Sequence, residues 1–272
     1  YNDGDIPGYP GADQTMWTVA NDVPLVLDAN GDSLTTNDTA PGLAGADAIG
    51  IELQITLWGY AFGASDPLGN VIFKRARMIY KGTPETPAGS RMDSTYAALF
   101  SDPDLGTYTD DYVGCDVDLS FGYVYNGNRT DGIFQGIYDL PVPSSGYDFL
   151  QGPPDSYDLD GDNDTTDYLG MTAFAYFGAG SSISDPDQSQ YTGSLQWFNL
   201  MEGFLPRPES PQTPYTDYIT GEITKFALSG DPVSGTGWID GYVLPPGDRR
   251  MSMSSGPFSL ALGDTADIVF GY

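Results

Sequence analysis

Between Ala48 and Phe62 the chain reads AIGIELQITLWGYAF, with Ile49, Ile51, Leu53, Ile55 and Leu57 at every second position. Alternate positions fall on one face of an extended chain, so this segment predicts a half-buried β-strand. NVIFKRARMIYKG (Asn70 to Gly82) reads as the next strand and carries Lys74, Arg75 and Arg77. STYAALFSD leads into an acidic loop, and DLSFGYVYNG then predicts another strand closed by an Asn-Gly turn. YLGMTAFAYFGAG (Tyr168 to Gly180) is apolar, bounded by Asp-rich and Gly/Ser-rich segments, and predicts a strand. YTGSLQWFNLMEGF (Tyr191 to Phe204) predicts a helix, capped by Thr192 or Ser194 and ended by Gly203.

LPRPESPQTPY is a proline-rich surface loop. KFALSGDPVSGTGWIDG and RRMSMSSGPFSLALGDTADIVFGY predict further strands, with FSLALGDTADIVF as a closing hairpin. Many short strands with frequent turn residues and at most one or two short helices predict an all-β sandwich or jelly-roll-like fold with long loops. A single large β region over 1–272 is expected, with 1–47 as an N-terminal extension and 48–272 as the core. The chain opens on Tyr1 and stops within the apolar ADIVFGY. These ends predict a processed N-terminus and a piece cut from a longer chain.

Charge changes the picture more than composition does. The 38 acidic residues outnumber the 10 basic ones, for a net charge of -28. Such a surface repels phosphate backbones and anionic membranes, which argues against nucleic-acid binding, and no apolar run is long enough to span a bilayer. The acid is almost all Asp, a residue of turns and short-reach cation loops. The chain has no His, which removes His-dependent triads and His-ligated transition-metal sites. Its one Cys, Cys115, has no partner for an internal disulfide and reads as a buried apolar thiol.

Three stretches concentrate the carboxylates. The first holds Asp102, Asp104, Asp110, Asp111 and Asp116; the second Asp158, Asp160, Asp162, Asp164 and Asp167; the third Asp28, Asn30 and Asp32, with Asp38 beyond. In the second, oxygen ligands at loop positions 1, 3, 5 and 7 suit a hard cation that takes six to eight oxygens at roughly 2.3–2.6 Å. It is not an EF-hand, because Asn163 stands at the turn glycine and Leu169 at the bidentate Glu. Two carboxylates ~4 Å apart repel by about 1 kcal/mol even in bulk water, and a bound Ca2+ turns that repulsion into attraction. Solvated turns are the plain alternative. A catalytic pair across a cleft, or a sugar site lined by Trp58, Trp197 or Trp238, is the other.

STYAALFSDPDLGTYTDDYVGCDVDLSFGYVYNG, followed by GYDFLQGP, resembles a block of large uncharacterised secreted bacterial proteins that often carry a type IX secretion sorting domain. NVIFKRARMIYKG, SLQWFNLMEGF, TKFALSGDPVSGTGWIDG and GDRRMSMSSGPFSLALGDTADIVFGY resemble later blocks of the same family, so the likeness runs from about Gly50 to Tyr272. The resemblance implies export across the outer membrane, a surface-bound or released state, and a chain that continues past Tyr272. It implies no activity. The expectation is an extracellular, calcium-stabilised structural or adhesive region, possessing no catalytic role and partnered by copies of itself, other surface proteins or glycans. The alternative is a carbohydrate-binding module or a carboxylate-based polysaccharide enzyme.

Overall fold

A computed structural model describes residues 9–22, 46–63, 65–154 and 167–272. In chain order its strands are β1 (Gln14–Asn21), β2 (Ile51–Gly59), β3 (Phe73–Tyr80), β4 (Arg91–Ser101), β5 (Asp111–Asp116) and β6 (Phe121–Asn126). There follow a short helix α1 (Phe134–Tyr138), β7 (Ser144–Gln151), β8 (Ala173–Gly178), the helix α2 (Tyr191–Glu202), and the two-residue strands β9 (Tyr215–Thr216) and β10 (Ile223–Thr224). The long β11 (Arg249–Ala261) and β12 (Thr265–Gly271) complete the order. The architecture is all-β and antiparallel, and no described helix is long and apolar enough to cross a membrane.

Seven strands form one sheet in the order β1-β2-β3-β12-β7-β6-β5, and three form a second in the order β4-β11-β8. Their facing sides make the core: Val113, Val124, Phe149 and Ile268 from the large sheet meet Phe174, Tyr176, Met251 and Met253 from the small one. The sheets approach closely at Gly122, where a Cβ would stand 2.7 Å from Met253 Sδ and 3.2 Å from Phe174. Only glycine leaves room for two sheet layers to meet there. Helix α2 covers the outer side of the small sheet, with Trp197 edge-on to Phe100 and Phe177 and Phe198 edge-on to Tyr96.

Local periodicity placed β2, β3, β8 and α2 well, including the left-handed Gly203 that ends α2. Five expectations need correction. Ile49 lies before β2 and is exposed, and within β2 the opposite face of Gln54, Thr56 and Trp58 is the more buried one, with Tyr9 and Phe73 stacked on Trp58. Helix α2 has no side-chain cap: Gln190 precedes it, and Thr192 and Ser194 lie inside. Asn126-Gly127 is no tight hairpin, since the chain runs through α1 before β7. FSLALGDTADIVF is no hairpin either: β11 and β12 lie in different sheets, joined by a turn that crosses between them. KFALSGDPVSGTGWIDG is mostly turns, with Asp231 and Thr236 closing one of them.

The two sheets are also joined by a buried ion pair. Arg249, at the start of β11, donates from Nε to Asp240 Oδ2 at 2.8 Å and from Nη2 to Asp240 Oδ1 at 3.1 Å. Asp240 Oδ2 also accepts from the Val113 N–H of β5 at 3.0 Å. The guanidinium donates further to the Pro245 carbonyl, and it lies 5.9 Å from the Tyr112 ring centre. Both side chains are almost wholly buried, so each depends on the other. Asp240→Ala is expected to lower stability by about 3–5 kcal/mol in urea unfolding, because it strands the guanidinium and the Val113 N–H. Asp240→Leu combined with Arg249→Met is expected to recover part of that loss in the same measurement.

Candidate metal centre

The loop between β4 and β5 carries three of the first stretch's five aspartates, Asp102, Asp104 and Asp110, and Asp111 opens β5 directly after it. It leaves β4 at Ser101, turns left-handed at Asp104 (φ 42°) and Gly106 (φ 52°), and makes a 3-10 turn at Tyr108–Asp110. Asp102 and Asp104 face the turn before β11, where Asp248 sits. Each of the three carboxylates offers an oxygen, and these oxygens lie within 4.8 Å of one another. Two ligand oxygens at ~2.4 Å from one ion stand at most roughly 4.8 Å apart, so the span fits a calcium-sized cation.

Arg250 shares this cluster. Its Nε donates to Asp102 Oδ2 at 3.0 Å, its Nη1 to Asp185 Oδ1 at 2.7 Å, and its Nη2 lies 3.7 Å from Asp248 Oδ2. One guanidinium therefore faces several carboxylates, and the local balance stays negative. Partial burial, together with Asp102 and Asp248, pushes the Asp104 carboxyl above the usual range, while Arg250 pulls it back.

Behind the cluster lies Asp111, only 1% exposed. Its Oδ2 accepts from the Leu105 N–H at 3.0 Å and its carbonyl from the Gly247 N–H at 3.1 Å. Its Oδ1 is buried and has no hydrogen-bond partner among the described residues. Burial, reinforced by the charges of Asp110, Asp104 and Asp131, pushes this carboxyl from 3.8 up to about 7, against the pull of the Leu105 N–H. Asp110 is also buried; its Oδ2 accepts from the amides of Asn126 and Asn128, while its Oδ1, like Asn126 Oδ1, has no partner among the described residues. Buried oxygens are normally satisfied, so several orphans beside an acidic cluster mark where a cation or water would act.

The remaining predicted residues divide in three. Asp116 is an exposed turn residue whose Oδ1 accepts from the Leu119 N–H, at the far end of β5 and roughly 16 Å along the strand from Asp111, so it leaves the cluster. Asp111 to Asp116 is a strand and not loop, because Val113 and Cys115 alternate into the core. Asp167 is half-buried beside Tyr168, which bridges to Pro154. Asp28, Asn30, Asp32, Asp158, Asp160, Asp162 and Asp164 lie outside the described residues. Sequence spacing missed Asp248, which reaches the cluster only through the fold. It also missed Asp131, a buried loop cap that accepts from the Thr107, Ile133 and Phe134 N–H groups and is thereby held below the usual carboxylate range.

Cys115 is buried, its thiol directed at the Ala227 carbonyl, and burial pushes its pKa up. Trp58 and Trp238 are largely buried, each showing only an edge in a surface pocket, and Trp197 packs into the α2 interface, so none of the three presents an open ring face.

Asp111 binds more protons when folded than when unfolded between its two pKa values. Cation-free protein should therefore lose stability as pH rises from about 4 to about 7 and change little from this source above that. Asp111→Asn should flatten this window, matching the parent near pH 4 and gaining on it toward pH 8, as read by urea midpoints in chelator. Comparison with protein-family models, with curated protein sequences and with solved structures gave no match.

Proposed function

We propose that this chain is a calcium-stabilised all-β region of an extracellular protein with a structural or adhesive role. The observation that carries the reading is the Asp102–Asp104–Asp248 group, with oxygens within 4.8 Å, backed by the buried and unpartnered Asp111 Oδ1. These residues would hold the ion, with Asp102 and Asp104 on the exposed side, Asp248 less exposed and Asp111 supplying charge from behind. The oxygen-only donor set, in a chain without His, favours a hard dication over a transition metal. Calcium over magnesium follows from loop-borne ligands, which do not impose a strict octahedron.

The cation would act by binding the folded chain alone. Asp102 and Asp104 come from the loop before β5 and Asp248 from the turn before β11, which only the folded sheets bring together. Such binding stabilises by mass action and makes folding depend on a calcium-rich exterior. The net charge of -28 and the lone buried thiol agree with a protein outside the cell, where it would meet copies of itself, other surface proteins or glycans.

Calorimetry with calcium and with chelator tests this. Calcium at about a hundred times its Kd should add about 2.7 kcal/mol, a rise in Tm of roughly 5–10 °C for a chain of this size. Asp104→Asn and Asp248→Asn should each remove most of that rise while leaving the Tm in chelator nearly unchanged. An identical Tm with and without calcium sinks the reading.

A further inference from the structure

The outward face of the large sheet, on the side away from the core, carries a groove of about 830 Å³ over β5, β6 and β7. Its floor is built by alternation along β6. Gly122 and Val124 point into the core, so Phe121, Tyr123 and Tyr125 all point outward. Their ring centres are 6.2 and 6.0 Å apart, and successive planes are inclined by only 30° and 43°.

The rings lie down on the sheet because glycines flank them. Gly114 of β5 and Gly146 of β7 both pair with Tyr123 in register. A Cβ on Gly114 would stand 2.6 Å from Tyr123 Oη, and one on Gly146 would stand 2.0 Å from the Phe121 ring. Any other residue at either position would lift a ring from the sheet. Laid flat, the three half-buried rings line the groove. Tyr123 is further pinned, since its Oη donates to the Gly230 carbonyl at 3.0 Å.

The rim carries carboxylates and hydroxyls interspersed with Val117, Pro232 and Val233 and, among the described residues, no cation. Asp116 and Asp118 stand on one wall, Asp231 on the overhanging Ser229–Val233 loop, and Ser144 and Ser145 at the other side. Carboxylates accept hydrogen bonds from hydroxyls, and they repel phosphate, sulfate and uronate groups. A flat aromatic strip takes the apolar face of a pyranose ring, while acceptors along its edge take the equatorial hydroxyls. A cationic side chain would be served better by rings arranged around it than by rings laid in one strip.

We propose that this groove binds a short stretch of an unbranched neutral polysaccharide, stacked on Phe121, Tyr123 and Tyr125 and held at its edges by Asp116 and Asp231. The site is separate from the Asp102–Asp104–Asp248 group and does not rest on the calcium reading. It gives the adhesive role a ligand class of its own.

The test is isothermal titration of the whole chain with hexasaccharides of β-1,4-glucose, β-1,3-glucose, β-1,4-xylose and β-1,4-mannose, alongside hexalysine. At least one hexasaccharide should bind with a Kd below about 1 mM, and its affinity should hold in about 0.5 M salt, where exposed charge attraction is screened. Phe121→Leu and Tyr125→Leu keep apolar cover over the sheet but remove a flat ring, and each should weaken binding at least tenfold. Their near-ultraviolet circular dichroism and Tm report whether the fold is intact. Asp104→Asn should leave sugar binding unchanged, which separates this site from the cation site. The proposal is overturned if no hexasaccharide binds, if folded ring variants bind as tightly as the parent, or if hexalysine alone binds and salt abolishes it.

Discussion

The ion pair between Arg249 and Asp240 is the interaction on which the site end of the molecule depends. It ties the first residue of β11, in the small sheet, to a carboxylate that also holds the backbone of β5 in the large one. Removed from water, neither charge is tolerable alone, so the pair makes one relative position of the two sheets much better than its neighbours. Position then follows for everything adjacent. Asp248 and Arg250 flank Arg249 in the chain, and Asp111 begins the strand whose Val113 the pair engages. The acidic cluster is thus a by-product of where one arginine is held.

That arrangement explains how so much like charge is tolerated. Arg250 neutralises part of it, and Asp131 disperses its own over three backbone donors. Asp111 has only the Leu105 N–H on one oxygen, its other oxygen has no partner among the described residues, and burial raises its hold on a proton. Asp116, by contrast, stands at the solvent end of the same strand and caps a turn. Four residues of one strand separate a buried carboxylate from an exposed one.

Much of the scaffold was legible in the chain because it is local. Period-two alternation marks β2, and an apolar run marks β8; a left-handed glycine marks the end of α2. Illegible parts were those decided at a distance. The segment YVGC was hidden among aspartates and read as loop, although Val113 and Cys115 are core residues. The turn Leu262-Gly263-Asp264 has the look of a hairpin, yet the strands it joins prefer partners in opposite sheets. Asp248 carries no spacing that points to Asp102. The aromatic row was written plainly as FGYVY, but what makes it a floor is Gly114 and Gly146, on neighbouring strands that only the register brings beside it.

The placing of β12 reaches beyond packing. It lies between β3 and β7, and among the described strands it supplies the seam joining β1-β2-β3 to β7-β6-β5. Until that strand is in place the large layer is two separate ribbons, each with a raw inner edge. Its pairing with β3 joins stretches almost two hundred residues apart, the kind of contact that forms late because a long loop must first be closed. The molecule is built like an arch, in which the voussoirs are laid early and the keystone goes in near the end.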